Sequence, residues 1–477
     1  YEIAQCLVGS EMCIRDSKLA VRYQHNNSFD DKYSAGTQSY TFNNSSYRMN
    51  NKTNSIVAEL NSRFTDQISN EFRASATFVR DHRDVAYQGP TIQISNVPGA
   101  DRKTMITANI GTEFSSGANS LDQDIYTFED NVSWYKGNHT FTFGTHNEIY
   151  RMSNLFIQAS NGSWYFNSLD DFLNDRPNKF TYKYTDPELT GGDLKYAPIM
   201  KAGQFGFYAQ DKWDITRDFN LTYGIRFDIP LTFNDPTVNP AFNKYAEENG
   251  LNARVGEMPG AKVLVSPRAG FRWYVDEDRK TLVRGGLGLF TGRVPFVWLS
   301  NAFNNTGMEQ KGTTINQVED GQGNVLQYAP SLGQYAKDPM GAMNSMSGSS
   351  AKPDIVTVDK DFKYPQVFRT NLALEQMLPG DVKFTLEGIY SKTLHNVFFE
   401  NLALTNTGDK VYAIPGVEAS GAPFYSFAKS DYYSIINLKN TNKGYTYAIS
   451  GLLEKHFDFG LDMSASYTFG HAKSVND

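Results

Sequence analysis

Seven histidines, His25, His82, His139, His146, His395, His456 and His471, are the first residues to test for chemistry in this 477-residue chain, and none stands in an H-E-x-x-H metal motif. His146 and Glu148 form a lone H-x-E, two residues apart and so on one face of an extended strand. Such a pair can ligate a metal or relay a proton, but a zinc deaminase needs a following P-C-x-x-C and none is present. A solvated ion pair is the reading taken. GGLGLFTG (285–292) has the look of a phosphate loop without its Lys-Ser/Thr ending, and it lies largely inside an alternating apolar segment, where glycine eases curvature or admits close packing. VEDGQGN (318–324) faintly suggests a calcium loop, yet Asp320-Gly321 is more simply a turn between hairpin arms. SMSGSS (345–350) lacks the G-x-S-x-G of a nucleophile elbow and reads as a loop tip. The expectation is a non-enzyme, with no catalytic, cofactor or metal residue assigned. What remains is binding. Trp164, Tyr165, Tyr182, Tyr184, Tyr196, Trp298, Phe303, Tyr425, Tyr432 and Tyr433 lie among Asn and Asp in long connections, a mixture that suits sugars, peptides or chelates as well as loop–loop packing.

These residues must be positioned by something other than an ordinary soluble core. Hydrophobic content is 40%, with 28 Tyr and 33 Phe, while the mean hydropathy is only -0.48. No run of about 18 apolar residues exists, so no transmembrane helix is expected. The formal net charge of -7 argues against a nucleic-acid partner, because phosphate binding needs a basic face. Both cysteines, Cys6 and Cys13, fall in YEIAQCLVGSEMCIRDS at the start. That stretch lacks the three-part plan of a signal peptide, and CLVGSEMCIRDS resembles a translated sequencing-adapter read. Residues 1–16 are therefore expected to be a non-native leader, and 17–477 the folded unit, which has no cysteine for a disulfide or a metal site.

From residue 18 onward one pattern repeats. In FNLTYGIRFDI (219–229), Leu221, Tyr223, Ile225, Phe227 and Ile229 alternate with Asn220, Thr222, Gly224, Arg226 and Asp228. Period-2 alternation marks a strand with one greasy and one wet face. It recurs over 18–24, 55–64, 70–80, 124–135, 139–150, 203–213, 263–275, 281–290, 367–377, 382–392, 444–454 and 460–470, giving thirteen strands. Their connections alternate without a break. Those at 65–69, 136–138, 214–218, 276–279, 378–381 and 455–459 are short; those near 26–54, 81–123, 151–202, 230–261, 292–365 and 393–442 are long. In an up-and-down sheet every second connection lies at the same rim, so tight turns gather at one end and long loops at the other. Transmembrane β-barrels have this asymmetry, with short periplasmic turns and long extracellular loops. Strands of about ten residues fit a tilted crossing of a bilayer. The predicted fold is all-β, an antiparallel transmembrane barrel with Leu221, Tyr223, Ile225 and Phe227 toward lipid and Arg226 and Asp228 toward a watered lumen. Trp134, Tyr135 and Trp213 suit the interfacial aromatic girdle. Alternation also describes soluble sandwiches and propellers, but loops of about 70 residues are foreign to compact soluble domains.

FGFYAQDKWDITRDFNLTYGIRFD (205–228) resembles the central barrel hairpin of TonB-dependent outer-membrane receptors, and VSPRAGFRWY (265–274) with TLVRGGLGLFTGRVP (281–295) resembles their next strand pair. DNVSWYKGNHTFTFGTHNE (130–148), QVFRTNLALEQMLPGDVKFTLEGIYSKTL (366–394) and LDMSASYTFGHAKS (461–474) are similar to the Oar-like branch. The resemblance covers 17–477. It implies a Gram-negative outer-membrane barrel of about 22 strands closed by a plug and energised by the TonB complex. Thirteen strands then represent part of that barrel, with the plug outside this fragment. The implied function is TonB-dependent transport of a bulky solute of siderophore, oligosaccharide or peptide class, in contact with outer-membrane lipid and an extracellular solute. The alternatives are a passive porin-like channel and a barrel for protein export or adhesion.

Overall fold

The computed structural model describes residues 6–14, 16–33, 36–350, 352–412, 421–427 and 431–475. Its principal sheet contains β1 (Cys6–Ile14), β2 (Ser17–Lys32), β3 (Tyr47–Thr65), β4 (Ile68–Val85), β5 (Asn119–Lys136), β6 (His139–Phe156), β7 (Ile199–Asp214), β8 (Phe219–Thr232), β9 (Leu264–Tyr274), β10 (Thr281–Thr291), β11 (Gln366–Leu378), β12 (Val382–Asn401), β13 (Tyr445–His456) and β14 (Asp462–Lys473). Each pairs antiparallel with the next in chain order, the up-and-down topology that alternating short and long connections require. All thirteen predicted strands are present as β2–β14. β1, described here by its backbone alone, runs antiparallel along the start of β2, from Cys6 beside His25 to Ile14 beside Ser17. Residues 1–5 and 15 of the expected leader lie outside the described residues.

The strands are longer than the alternation that announces them. β3 has 19 residues, β4 and β6 have 18 each, and β12 has 20. Their extra length lies on the long-loop side. There the ladder of hydrogen bonds continues into RDHRDV (80–85), where both faces turn polar and the period-2 signal fades.

One face of the wall is apolar and open. Phe207, Phe227 and Val265 lie side by side in register, as do Val132, Phe143, Ala209 and Ile225. Phe207 is 51% exposed and Phe143 49%. Burying such rings against water-excluding lipid is the only way this face gains from the hydrophobic effect. The opposite face carries Glu129, His146, Gln204, Tyr208, Arg226 and Asp228.

The long connections carry strands and helices of their own. Strands from four of them build a second sheet in the order Ser349–Ser350, Gln310–Asn316, Lys179–Thr185, Ser163–Phe166, Thr91–Pro98, Met105–Gly111, Ser39–Thr41. Its apolar face buries Ile94, Ala108, Trp164, Phe166, Phe180 and Ile315 under a cap containing Ala329 and Ala342. Trp164 satisfies its indole N–H by donating to the Pro330 carbonyl at 2.8 Å. These strands are short and far apart in sequence, so no local period betrays them.

A further segment folds back across the wall's polar face. Helix α1 (Phe296–Asn304) buries Phe296, Leu299, Ala302 and Phe303 against Tyr150, Met152, Met200, Ala202 and Leu264. The Phe296 and Tyr150 ring centroids are 4.1 Å apart. Asn154 Nδ2 donates to Ser300 Oγ at 3.0 Å and to Asn301 Oδ1 at 3.1 Å, fixing the helix to β6. Downstream, Asp354–Val358 pairs in parallel with Ser434–Thr441, joining two long connections above the rim.

Candidate functional site

The expected ion pair of His146 and Glu148 exists, and the fold makes it part of a chain of charges. His146 lies opposite Glu129 of β5 and Gly206 of β7. Its Nδ1 is 3.6 Å from Glu129 Oε2 and its Nε2 is 3.4 Å from Glu148 Oε1. Glu148, only 3% exposed, also accepts from the Tyr150 hydroxyl and faces Arg293 Nη2 at 3.1 Å. Arg293 stands three residues before the start of α1, so the ion pair ties the inward-folded segment to the wall. On the next strands Arg226 Nε donates to Asp228 Oδ1 at 2.9 Å, and Gln204 Nε2 donates to the same oxygen at 3.2 Å. The Arg226 guanidinium lies 5.3 Å from the Tyr208 ring centroid. Arg226 and Asp228 thus occupy the polar face, as the alternation in 219–229 predicts.

A second polar network lies nearer the tight turns. Arg284 Nε donates to Glu375 Oε1 at 2.8 Å and its Nη1 to Glu387 Oε1 at 3.3 Å, while Lys383 Nζ sits 3.0 Å from Glu375 Oε2. Beside it, Gly286 of GGLGLFTG pairs with Gly270 across the ladder. Two absent side chains on one face help leave a hollow of about 440 Å³ lined by Asn220, Thr222, Arg272, Arg284 and Glu375. The glycines make room, and the segment is strand β10, not a phosphate loop. Asp320 likewise serves a turn: its carboxylate accepts from the Gln322 and Asn324 amides at 2.9 and 2.8 Å between two short paired strands. Among the described residues no cluster of three or more His, Cys, Asp and Glu is arranged to hold a metal ion.

A concavity in the loop layer has a volume of about 640 Å³ and is lined by Lys32, Tyr33, Tyr47, Gln93, Asn109, Glu113 and Tyr165 among others. It lies between the polar side of the loop sheet and the long-loop ends of β2 and β3. Its charges are matched locally. Lys32 pairs with Asp30, and Arg83 Nη1 is 3.8 Å from Glu113 Oε2 while its guanidinium covers the Tyr47 ring at 4.7 Å. Lys179 Nζ stands 3.7 Å over the Tyr165 ring. Burial pushes the Tyr165 phenol up and the Lys179 amine down. Aromatic rings, amides and hydroxyls make up most of the lining.

Of the ten loop aromatics singled out in the sequence, only Tyr165 reaches this cleft. Trp164 and Phe303 are core residues, and Tyr182 stacks on Tyr184 at 5.3 Å. Trp298 meets Phe399 edge-on at 5.1 Å, and Tyr432 meets Phe242 in the same way at 5.1 Å. Tyr196, Tyr425 and Tyr433 are exposed elsewhere. Sequence reasoning missed Tyr33, Tyr47, Gln93, Asn109 and Glu113, which come from two connections and carry no shared motif.

Residues 14–477 match the family described as outer membrane beta barrel domain. The curated proteins contain no match. Among solved structures, the outer membrane transporter YddB from Escherichia coli aligns with a TM-score of 0.59 at 13% identity, covering 98% of this chain and 48% of that one. The FrpB iron transporter from Neisseria meningitidis (F5-1 variant) aligns with a TM-score of 0.52 at 7% identity, covering 98% and 52%. The chain spans about half the length of each, and at these identities the likeness is one of fold. With its family matched over nearly its whole length and its apolar face turned outward, the chain belongs to the outer membrane beta barrel domain family and resides in the outer membrane.

Proposed function

We propose that this chain is the barrel portion of a TonB-energised transporter for a bulky solute, non-catalytic, with the solute captured in the loop-layer cleft and passed toward the polar face of the wall. The observation that carries this reading is the cleft of about 640 Å³, built by ordered strands from several connections above a wall whose inner face bears Glu129, His146, Glu148, Arg226 and Asp228. A pre-formed cavity of this size suits ligands of siderophore, oligosaccharide or peptide bulk, and its locally matched charges favour the neutral members. Energy would come through a plug and the TonB complex. In the same reading residues 1–16 are foreign to the barrel and 17–477 are its own.

A passive channel is the second reading. The inward fold of 292–304 across the polar face favours it, since a constriction loop would take that path. The experiment that separates the two is uptake by cells carrying the full-length gene. Energised transport predicts accumulation that saturates, collapses on addition of a protonophore, and falls in Tyr165→Ala or Gln93→Ala. Flux that rises linearly with solute and ignores the protonophore would establish the channel instead.

A further inference from the structure

The polar side of the loop sheet carries one row of side chains that the protein itself leaves largely unengaged. Thr41, Asn109, Gln93, Tyr165, Lys179 and Asn316 stand opposite one another in succession across six strands, from Ser39–Thr41 to Gln310–Asn316. Each of the last five is next in the chain to a residue of the buried core, so strand alternation turns it to the opposite face. Thr41, Asn109, Gln93, Tyr165 and Lys179 are half-buried, and Asn316 is exposed. The first four line the cleft of about 640 Å³.

Few of these groups are committed. Asn109 Nδ2 donates to Thr41 Oγ1 at 3.4 Å, which leaves the Asn109 carbonyl oxygen open. The carboxamides of Gln93 and Asn316 and the Tyr165 hydroxyl have no hydrogen-bond partner among the described residues. In the next row, by contrast, the hydroxyls are engaged within the protein. Thr91 Oγ1 donates to the Thr112 carbonyl at 2.7 Å, and the Thr181 and Thr314 hydroxyl oxygens lie 3.4 Å apart. Half-buried polar groups without protein partners are met by water or by a ligand. The row holds no carboxylate, and every member except Lys179 can both donate and accept.

We propose that this row is the recognition surface of the cleft and takes a linear, neutral oligosaccharide laid across the strands, an assignment that rests on the solute-capture reading above. Adjacent strands are about 4.8 Å apart, so the row repeats a polar group at close to the length of one pyranose ring in an extended chain. From Thr41 to Tyr165 it spans three steps, about 14 Å, and to Asn316 five steps, about 24 Å. Sugar hydroxyls donate and accept at once, and so do the Thr, Asn, Gln and Tyr groups that face them. An extended peptide on the same line would repeat at about 3.4 Å, out of step with the row, and would need pockets for its side chains. A polyanionic chain would meet a single cation, Lys179.

The test is isothermal titration calorimetry on the full-length protein in a detergent without a sugar headgroup. The probes are linear glucose, mannose and xylose oligomers of two to six units, a four-unit uronate oligomer, and a glycine-serine tetrapeptide. At least one neutral series is expected to bind, with Kd falling about tenfold from two units to four. Gln93→Ala and Tyr165→Ala are each expected to raise the four-unit Kd about fivefold or more. Asn316→Ala should weaken only the six-unit oligomer, by about threefold, because shorter chains end before that strand. Near-ultraviolet circular dichroism confirms that the loop sheet of each variant is intact. Absence of binding by every neutral series up to about 1 mM would overturn the assignment, as would tighter binding of the uronate or the peptide. So would an affinity independent of length, or a folded Gln93→Ala protein that binds unchanged. Uptake separates this inference from the transporter reading. Glycan binding with linear, protonophore-insensitive flux keeps the surface and removes energised transport; energised uptake of another solute without glycan binding does the reverse.

Discussion

Replacing Phe143 by arginine tests the assignment of lipid to one face and water to the other. Phe143 is 49% exposed and lies between Val132 and Ala209 on the outward side. It is five residues beyond the tight turn that precedes β6. At about 3.3 Å per residue and a tilt near 45°, that places it about 12 Å from the turn-side edge, near the middle of an apolar band about 25 Å tall. An arginine at the midplane of such a band costs about 2–4 kcal/mol. The folded-to-unfolded ratio in lipid vesicles should therefore fall by about 30- to 700-fold, at about 1.4 kcal/mol per decade. The neighbouring Thr142 pairs with Ser133 and Gln210 on the polar side. Thr142→Arg there should change stability by about 0.5 kcal/mol or less, as at an ordinary wet surface. Both variants are compared by urea titration in vesicles, followed by tryptophan fluorescence and gel heat-modifiability. Equal losses for residues 142 and 143 would refute the two-solvent account of the wall, and with it the reading of every alternating segment.

Further consequences follow from particular contacts. Glu148→Gln weakens the tie to Arg293; because the Arg293 side chain is 56% exposed and resolvates readily, the expected loss is only about 1 kcal/mol, seen as faster proteolysis within 292–304 while the wall stays intact. Trp164→Ala empties the centre of the loop-sheet core and should cost that unit about 3–5 kcal/mol, removing its near-ultraviolet circular dichroism without abolishing heat-modifiability. Gly111→Ala places a Cβ 2.0 Å from the Pro90 carbonyl oxygen at a φ of 83°, so the strand edge beside the cleft must shift and binding to the cleft should weaken more than barrel stability does. Asp101 accepts from the Lys103 and Thr104 amides at 2.9 and 2.8 Å, and these bonds with the Thr104 hydroxyl hold its carboxyl below the usual range. That carboxylate's contribution is present above its unfolded value of about 3.9 and is lost as pH falls through the lower folded value, so a spin label at residue 102 should gain mobility on acidification below about pH 4, and Asp101→Asn should remove the transition.

Residues 219–229 show what a single segment can reveal. The alternation of Leu221, Tyr223, Ile225 and Phe227 with Thr222, Gly224, Arg226 and Asp228 specifies a strand, its two faces and its solvents, because side chains in an extended chain point to opposite sides at every step. The six tight turns were equally legible: LPGD (378–381) places Gly380 at a φ of 78°, which glycine adopts without strain. By contrast, Trp164, Phe180 and Ile315 meet in one core although Trp164 and Ile315 stand 151 positions apart, and nothing local in any of their segments predicts the meeting. Ser163–Phe166 is four residues long, too short to show a period, and its partners Thr91–Pro98 and Lys179–Thr185 come from either side of it in the chain.

The sequence alone therefore determined the wall: its thirteen alternating strands, the rim at which each turn or loop falls, and the face that seeks lipid. All of these are set by side-chain periodicity against two solvents, a property each segment carries by itself. The tertiary structure decided what the long connections do. It turned most of the loop aromatics into core, left Tyr165 to share a cleft with Tyr33, Tyr47, Gln93 and Asn109, and tied Glu148 to Arg293. Those groupings depend on ladder register and on contacts between distant segments, which become fixed only when the strands pair.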